Sequence, residues 1–298
     1  MNLLRRIASL PGLRAALLHP AVRRRIAGLL GLRFLTAALA VDRPLTLVLN
    51  ELVRARGQVR TYTVRSTGVP VALQHGRDVE ILHELFRGGE YEPPPELVDR
   101  LRPDRVRRVL DLGANIGMFS AWATGRWPEA TIRAYEPIEE NASVYRTWAA
   151  AAGADVELVQ AAAGVAPGTA TFLVGRGAGD VQVAPGTFEG STVEAEVVDV
   201  LPEILEADFL KIDIEGGEWP IFADRRLSDA TDLVIAMEYH RVGAPSLPAR
   251  KAAEQLLHEA GFATGYGAAN YWGHGTLWAW KPTDRVAAEA ARVAGAAG

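Results

Sequence analysis

The stretch "VLDLGANIGMFSAW" (109–122) reads as an apolar strand that reaches an aspartate, turns tightly through Gly113 and Gly117, and enters a helix. Around it, strand-like and helix-like segments alternate. "VRRVLDLG" (106–113) is followed by the helical "MFSAWATGRW" (118–127), the strand "TIRAYEP" (131–137), the helix "EENASVYRTWAAAAG" (139–153) and the strand "DVELVQAAAG" (155–164). Further on come "EADFLKIDIEG" (206–216) and "DLVIAMEYH" (232–240) as strands, "ARKAAEQLLHEAGF" (249–262) as a helix, and "ANYWGHGTLWAWK" (269–281) as a strand pair closing the sheet edge. Such alternation predicts an α/β fold: a mostly parallel sheet, right-handed crossovers and helices on both faces.

In an open parallel sheet, ligands bind outside the carboxyl ends of the strands, where the first strand-turn-helix presents backbone N–H groups. Glycine at 113 and 117 lets the chain pass close to a ligand. The second strand ends at Glu136, 23 positions after Gly113, where a carboxylate can accept from ribose hydroxyls. A nucleoside across the first two strands is the expectation. The sequence G-A-N-I-G lacks the G-x-G-x-x-G spacing that admits a pyrophosphate. S-adenosylmethionine has a ribose and no phosphate, and Asp111, Asn115 and the nearby amides suit its ammonium and carboxylate. The alternative is an ordinary strand-to-helix turn beside a structural glutamate.

Length and composition set the frame. With 298 residues and 49% apolar content the chain can bury a full core, and the absence of cysteine excludes disulfides, thiolate metal sites and cysteine nucleophiles. Residues 1–60 hold eleven arginines against Asp42 and Glu51, a net charge of +9; the whole chain is at -4, so the remainder is at -13. The longest apolar stretch, 26–41, is 16 residues with Arg33 inside it, short of the ~20 a spanning helix needs. Arg14, Pro20 and Arg23 to Arg25 interrupt the apolar region a signal peptide requires, so a cytoplasmic chain is expected. The basic segment either lies peripherally on an anionic membrane or a partner, or caps its own catalytic domain with the arginines solvated, the commoner arrangement. Nucleic acid is not expected as a partner, because the acidic remainder repels phosphate.

The predicted organisation is a basic helical extension (1–60), a hairpin and helix lead-in (61–103), the main domain (104–283) and an alanine-rich tail (284–298). "TYTVRSTGVPVALQHG" (61–76) reads as the hairpin, and "RDVEILHELFRGG" (77–89) as the helix, with Asp78 placed to cap it. "GRGAGDVQVAPGTFEGST" (175–192) reads as a lid or an irregular hairpin connection.

"VLDLGANIGMFS", "AYEP", the stretch from "VQAAAG", "FLKIDIEGGE" and "MEYH", in this order, with "ELFRGGEY" (84–91) upstream, resemble the FkbM family of S-adenosylmethionine-dependent methyltransferases. The resemblance spans roughly residues 78–280. It implies a class I methyltransferase fold, Rossmann-like in kind, and cofactor contacts at Asp111, Gly113, Asn115, Gly117 and Glu136, with Ala162 near the adenine. Where the family often carries an aspartate after its A-V-G step, this chain has Val165.

At the other strand ends, Lys211, Asp213 and Glu215 alternate, as do Glu238 and His240, so each set shares a face if its strand continues. Lys211 is one of only three lysines. Methyl transfer to oxygen needs an aligned acceptor and a sink for its proton. His240 is a candidate base; Asp213 either takes the proton directly or orients the histidine. Lys211 and Asp213 forming a bracing ion pair is the structural alternative. Asp213, Glu238 and His240 suit a divalent ion such as magnesium or manganese, although acid-rich crevices without metal are commoner. Tyr271, Trp272, Trp278 and Trp280 either stack on a sugar or ring, with His274 as a second base, or pack in edge strands, as aromatics there usually do. The leading expectation, as the resemblance implies, is an O-methyltransferase acting on a hydroxyl of a sugar, glycolipid or other bacterial secondary metabolite, a small-molecule acceptor. Its rivals are an NAD(P)-dependent oxidoreductase and a non-catalytic membrane- or partner-binding module.

Overall fold

The structure is a computed structural model that describes residues 32–54, 57–174, 181–183, 192–267 and 275–282. The basic segment before residue 32, most of the 175–192 stretch, the residues Tyr271, Trp272 and His274, and the alanine-rich tail lie outside the described residues. Two compact units are present, Met1–Glu90 and Tyr91–Gly298.

In the first unit, helix α1 (Leu32–Ala40) and helix α2 (Pro44–Leu49) precede an antiparallel hairpin of β1 (Val59–Thr63) and β2 (Pro70–Gln74) and a short helix α3 (Val79–His83). The expected hairpin is there. Asp78 stands at the start of α3 but does not cap it: its carboxylate turns back to accept from the backbone N–H of Gln74 at 2.7 Å. Glu51, His75 and Tyr62 form a buried hydrogen-bonded chain at 2.6 and 2.8 Å.

The second unit carries the central sheet. Its strands are β3 (Arg108–Leu112), β4 (Thr131–Tyr135), β5 (Val156–Val159), β10 (Phe209–Ile212), β11 (Val234–Tyr239), β12 (Ala263–Gly265) and β13 (Gly275–Trp280), in the spatial order β12-β13-β11-β10-β3-β4-β5. β5, β4, β3, β10 and β11 are parallel neighbours, and β13 runs antiparallel to both β11 and β12. Strands buried on both faces need continuous apolar runs, and "VLDL" (109–112) and "FLKI" (209–212) supply them around one charged residue each.

Helices cover both faces, as the alternating pattern requires. Phe209 packs on Phe119 of α4 (Met118–Arg126), ring centroids 5.9 Å apart, and on Trp278 of β13. Its neighbours Leu210 and Ile212 point the other way. They join a core with α6 (Leu201–Glu206), α7 (Glu218–Ala223) and α8 (Ala249–Glu259). Helix α5 (Glu139–Ala152) links β4 to β5. Trp278 is therefore core, the structural alternative for that aromatic.

The expected single strand over 155–164 is two. After β5 the chain leaves the central sheet at Gln160 and enters a second sheet, order β6-β9-β7-β8, made of β6 (Ala162–Gly164), β7 (Gly168–Val174), β8 (Val181–Val183) and β9 (Thr192–Asp199). Its apolar residues Ala162, Phe172, Ala170, Ala195 and Val197 gather with Ile138. This sheet supplies one wall of the site.

Candidate active site

A cavity of about 330 Å³ opens at the carboxyl ends of β3, β4 and β10. Gly113, Asn115, Glu136, Ala162, Asp213 and Glu215 all line it, and Phe172 and Val197 extend the wall. Residues 100 positions apart in the chain meet here because β3 and β10 are parallel neighbours in register, Leu112 beside Ile212.

The turn after β3 is shaped first by the chain itself. Gly113 has φ +78°, and a Cβ there would lie 1.8 Å from the Asp213 carbonyl oxygen, so only glycine lets the two strand ends touch. Gly117 has φ +85°, and its missing Cβ makes room for the Tyr145 ring of α5 at 2.7 Å. Gly117 does not line the cavity; its glycine serves helix packing. The amides of Gly113 and Ala114 both donate to the Tyr135 carbonyl, that of Asn115 to Glu136, and that of Gly117 to Ala114. The expectation that this turn offers a row of ligand-binding N–H groups is corrected, because those donors are satisfied within the protein.

Glu136 is buried and held from three sides. Its Oε2 accepts from the Asn115 N–H at 2.8 Å, and its Oε1 from the Ile138 N–H at 2.9 Å and the Asn141 side-chain amide at 3.2 Å. Burial pushes its carboxyl above the usual range, and these donors pull back. Of the roughly four lone-pair positions of a carboxylate, three are taken, which leaves one on Oε2.

Asp111 is completely buried and absent from the cavity wall. It accepts from Ser120 Oγ at 2.7 Å and lies 3.4 Å from Lys211 Nζ. The cross-strand register makes this inevitable, since Lys211 sits beside Asp111 on one face. Lys211 also donates to the Gly113 carbonyl at 2.6 Å and stands 3.9 Å from Asp213. Desolvation works against its charge, but Asp111 and Asp213 outweigh it and raise the ammonium pKa. A lysine held charged beneath the turn is a brace. It is not placed to accept a proton, so the chemical role expected of it is replaced by the structural alternative.

Strand β10 stops at Ile212, and Glu215 is in the left-handed region at φ +52°, so Asp213 and Glu215 leave the pleat and face the cavity from a turn. His240 follows β11, buried among four carboxylates: Nδ1 is 3.2 Å from Glu218, and Nε2 is 3.3 Å from Glu215, 3.8 Å from Asp213 and 3.9 Å from Glu238. Burial lowers its pKa, but the Glu218 hydrogen bond and the charges of Asp213, Glu218 and Glu215 prevail and push it up to about 9. The shift favours the charged imidazolium at neutral pH and weighs against a base role for His240. Asp213 lines the cavity, and its Oδ1, 3.8 Å from His240 Nε2, has no hydrogen-bond partner, so it is the better candidate for that role.

Glu218 is the functional residue that pattern reading missed. Fully buried at the start of α7, it accepts from the backbone N–H groups of Gly216 (2.8 Å) and His240 (2.8 Å), fixing the 213–218 turn to the end of β11. Its signal was an acid in the first turn of a helix after a glycine pair. Asp213, Glu238 and His240 can each bring one ligand atom within 4.8 Å of the others, a set whose oxygen and imidazole donors match a divalent cation.

The sequence model of the Methyltransferase FkbM domain matches residues 111–263. The trans-aconitate 2-methyltransferase of Mycobacterium marinum is 31% identical over 109 residues, covering 33% of this chain and 40% of that protein. The chain thus matches less than half the length of this curated relative. Among solved structures, precorrin-6y C5,15-methyltransferase from Geobacter metallireducens is 17% identical with a TM-score of 0.36, over 62% of this chain and 87% of that one. The O-methyltransferase TomG from Streptomyces achromogenes, solved in complex with S-adenosylmethionine, is 17% identical with a TM-score of 0.38, over 63% and 77%. At these identities and scores the likeness says nothing about substrate.

Proposed function

The chain belongs to the FkbM methyltransferase family, and from that premise we propose that it is an S-adenosylmethionine-dependent O-methyltransferase acting on a hydroxyl of a sugar, glycolipid or other secondary metabolite. The observation that carries this reading is one cavity lined both by Gly113, Asn115 and Glu136 and by the acids Asp213 and Glu215.

The remaining lone pair of Glu136 suits one ribose hydroxyl, and the wall of Ala162, Val165, Phe172 and Val197 suits an uncharged heteroaromatic ring. The Asn115 side chain and the Glu215 carboxylate line the same cavity, and their chemistry suits an amino-acid end. When bound, S-adenosylmethionine supplies a methyl carbon activated by a sulfonium. The protein aligns the acceptor, and Asp213 takes the hydroxyl proton as the new bond forms. The imidazole of His240, hydrogen-bonded to Glu218 through Nδ1, stands 3.8 Å from Asp213 and helps to position it.

A second reading is favoured by one observation, the 4.8 Å grouping of Asp213, Glu238 and His240. A divalent cation there would acidify a chelating diol. Incubation with labelled S-adenosylmethionine and a panel of glycosylated hydroxyl compounds, with trans-aconitate included, tests both. Label on a hydroxyl supports the main reading. Label only on a carboxylate or an amine overturns it, and loss of turnover with chelator transfers the proton-removing role to the cation.

A further inference from the structure

Among the described residues, four of the eight large apolar side chains left exposed are leucines on the two helices α1 and α2. Leu35 and Leu39 of α1 are 42% and 53% exposed, and Leu45 and Leu49 of α2 are 49% and 37% exposed. Each pair is spaced i, i+4, so each lies along one helix face. The inward positions are filled by Ala37, Ala38, Ala40, Val41 and Leu47. Folding alone would favour the reverse, with leucines inside and the small residues out. Thr36 reinforces the orientation, its Oγ1 being 2.9 Å from His83 Nδ1 on the inner side.

We propose that the leucine faces of α1 and α2 dock the protein on an anionic lipid bilayer. The occupant is chosen by charge. The 31 residues that lead into α1 carry Arg5, Arg6, Arg14, Arg23, Arg24 and Arg25 and no acid, and residues 1–60 are at +9 against -13 for the rest. A basic segment joined to leucine-bearing helix faces is the combination that partitions into a negatively charged interface, apolar side down and cations toward the headgroups. A second copy of this chain would bring +9 against +9, so self-association through this face is opposed. The acidic remainder is repelled by the same surface, so the attraction is confined to residues 1–60. The inference is independent of the acceptor proposed above.

The test is co-sedimentation of the full chain with vesicles of phosphatidylcholine alone or mixed with phosphatidylglycerol. Binding is expected to the mixed vesicles only. It should weaken at least about tenfold between about 0.1 M and about 1 M salt, where the screening length falls from about 10 to about 3 Å. Combined Leu35→Gln, Leu39→Gln, Leu45→Gln and Leu49→Gln, which keep helix propensity, should weaken binding by at least about tenfold with unchanged circular dichroism. Leu247→Gln, at an exposed leucine in the other unit, should bind as the parent does. If the fourfold variant fails to fold, the two double variants, one per helix, should each show part of the loss. No pelleting with anionic vesicles overturns the proposal. Unchanged binding of folded leucine variants does so too, as does a leucine-dependent dimer seen by light scattering without lipid.

Discussion

Replacing Glu136 by alanine separates the two tasks of that carboxylate, holding its own turn and meeting a ligand. The substitution leaves the N–H groups of Asn115 and Ile138 and the amide of Asn141 without their acceptor. Each buried donor left unpaired costs about 1–3 kcal/mol, so the two backbone groups alone amount to about 2–6 kcal/mol. Relief of a buried carboxyl whose pKa is raised by desolvation offsets part of this. A net loss of about 2 kcal/mol is expected, read as a Tm lower by about 3 °C in a chain of this size. Ligand affinity should fall separately. A hydrogen bond to a charged acceptor contributes about 1.5–3 kcal/mol, or about 10- to 150-fold in Kd. Titration calorimetry with S-adenosylmethionine, run well below the variant's Tm, measures the second effect free of the first. A folded Glu136→Ala protein whose Kd stays within about twofold of the parent would refute the assignment of the carboxylate to the cofactor. A Tm shift alone would then mark it as a turn brace.

Three further expectations follow from the same geometry. His240 has its pKa raised in the folded state to about 9 from an ordinary 6.5, so its contribution to stability is fully present below about pH 6.5 and lost as pH rises through about 9. With chelator in the buffer, Tm should fall across that window by the equivalent of a contribution on the order of 3 kcal/mol. His240→Gln should flatten the curve, and parallel profiles of parent and variant would contradict the charged imidazole. Lys211→Met leaves the buried Asp111 without its cation and should lower urea stability by up to about 3–5 kcal/mol, the cost easing where Asp111 takes up a proton; full stability with lost turnover would instead make the lysine a chemical group. Asp213→Asn should lower kcat by about 10²- to 10⁴-fold while S-adenosylmethionine binds within about threefold of the parent. A kcat within about tenfold of the parent would remove Asp213 from the proton step.

The mostly parallel, helix-covered character of the central sheet was readable because its central strands are buried on both faces and alternate with helical segments. The second sheet was not, although "TATFLV" and "TVEAEVV" alternate with period two. Those runs flank a glycine- and proline-rich stretch that looks like loop, and nothing local says that the chain leaves one sheet at Gln160 to begin another. Among site residues, Gly113, Asn115, Glu136 and Asp213 were placed by strand ends alone. Gly117, Asp111 and Lys211 were identified as important for the wrong reason. Their signals, a glycine and two charges in apolar strands, are the same whether the partner is a ligand or another part of the chain. The acids that raise the His240 pKa, Glu218 and Glu215, stand beside it only after the turn has folded, so their effect has no local sequence signal.

Those misassigned residues explain how the site keeps its alignment. A Cβ at Gly113 is excluded by the Asp213 carbonyl, the Asp213 amide donates to the Leu112 carbonyl at 3.0 Å, and Lys211 bonds the Gly113 carbonyl from below while facing Asp111 and Asp213. The cofactor-side turn and the segment bearing the proposed base are thus in direct backbone contact, clamped by one buried ammonium. Methyl transfer depends on a fixed separation between donor and acceptor, with large rate losses for displacements near 1 Å. A protein that built the two halves on separate loops would have to hold that separation through side chains. Here it is set by main-chain contact between adjacent parallel strands, the least compliant element available, and the buried Lys211 and Asp111 are the cost of making that contact without a hydrophobic gap.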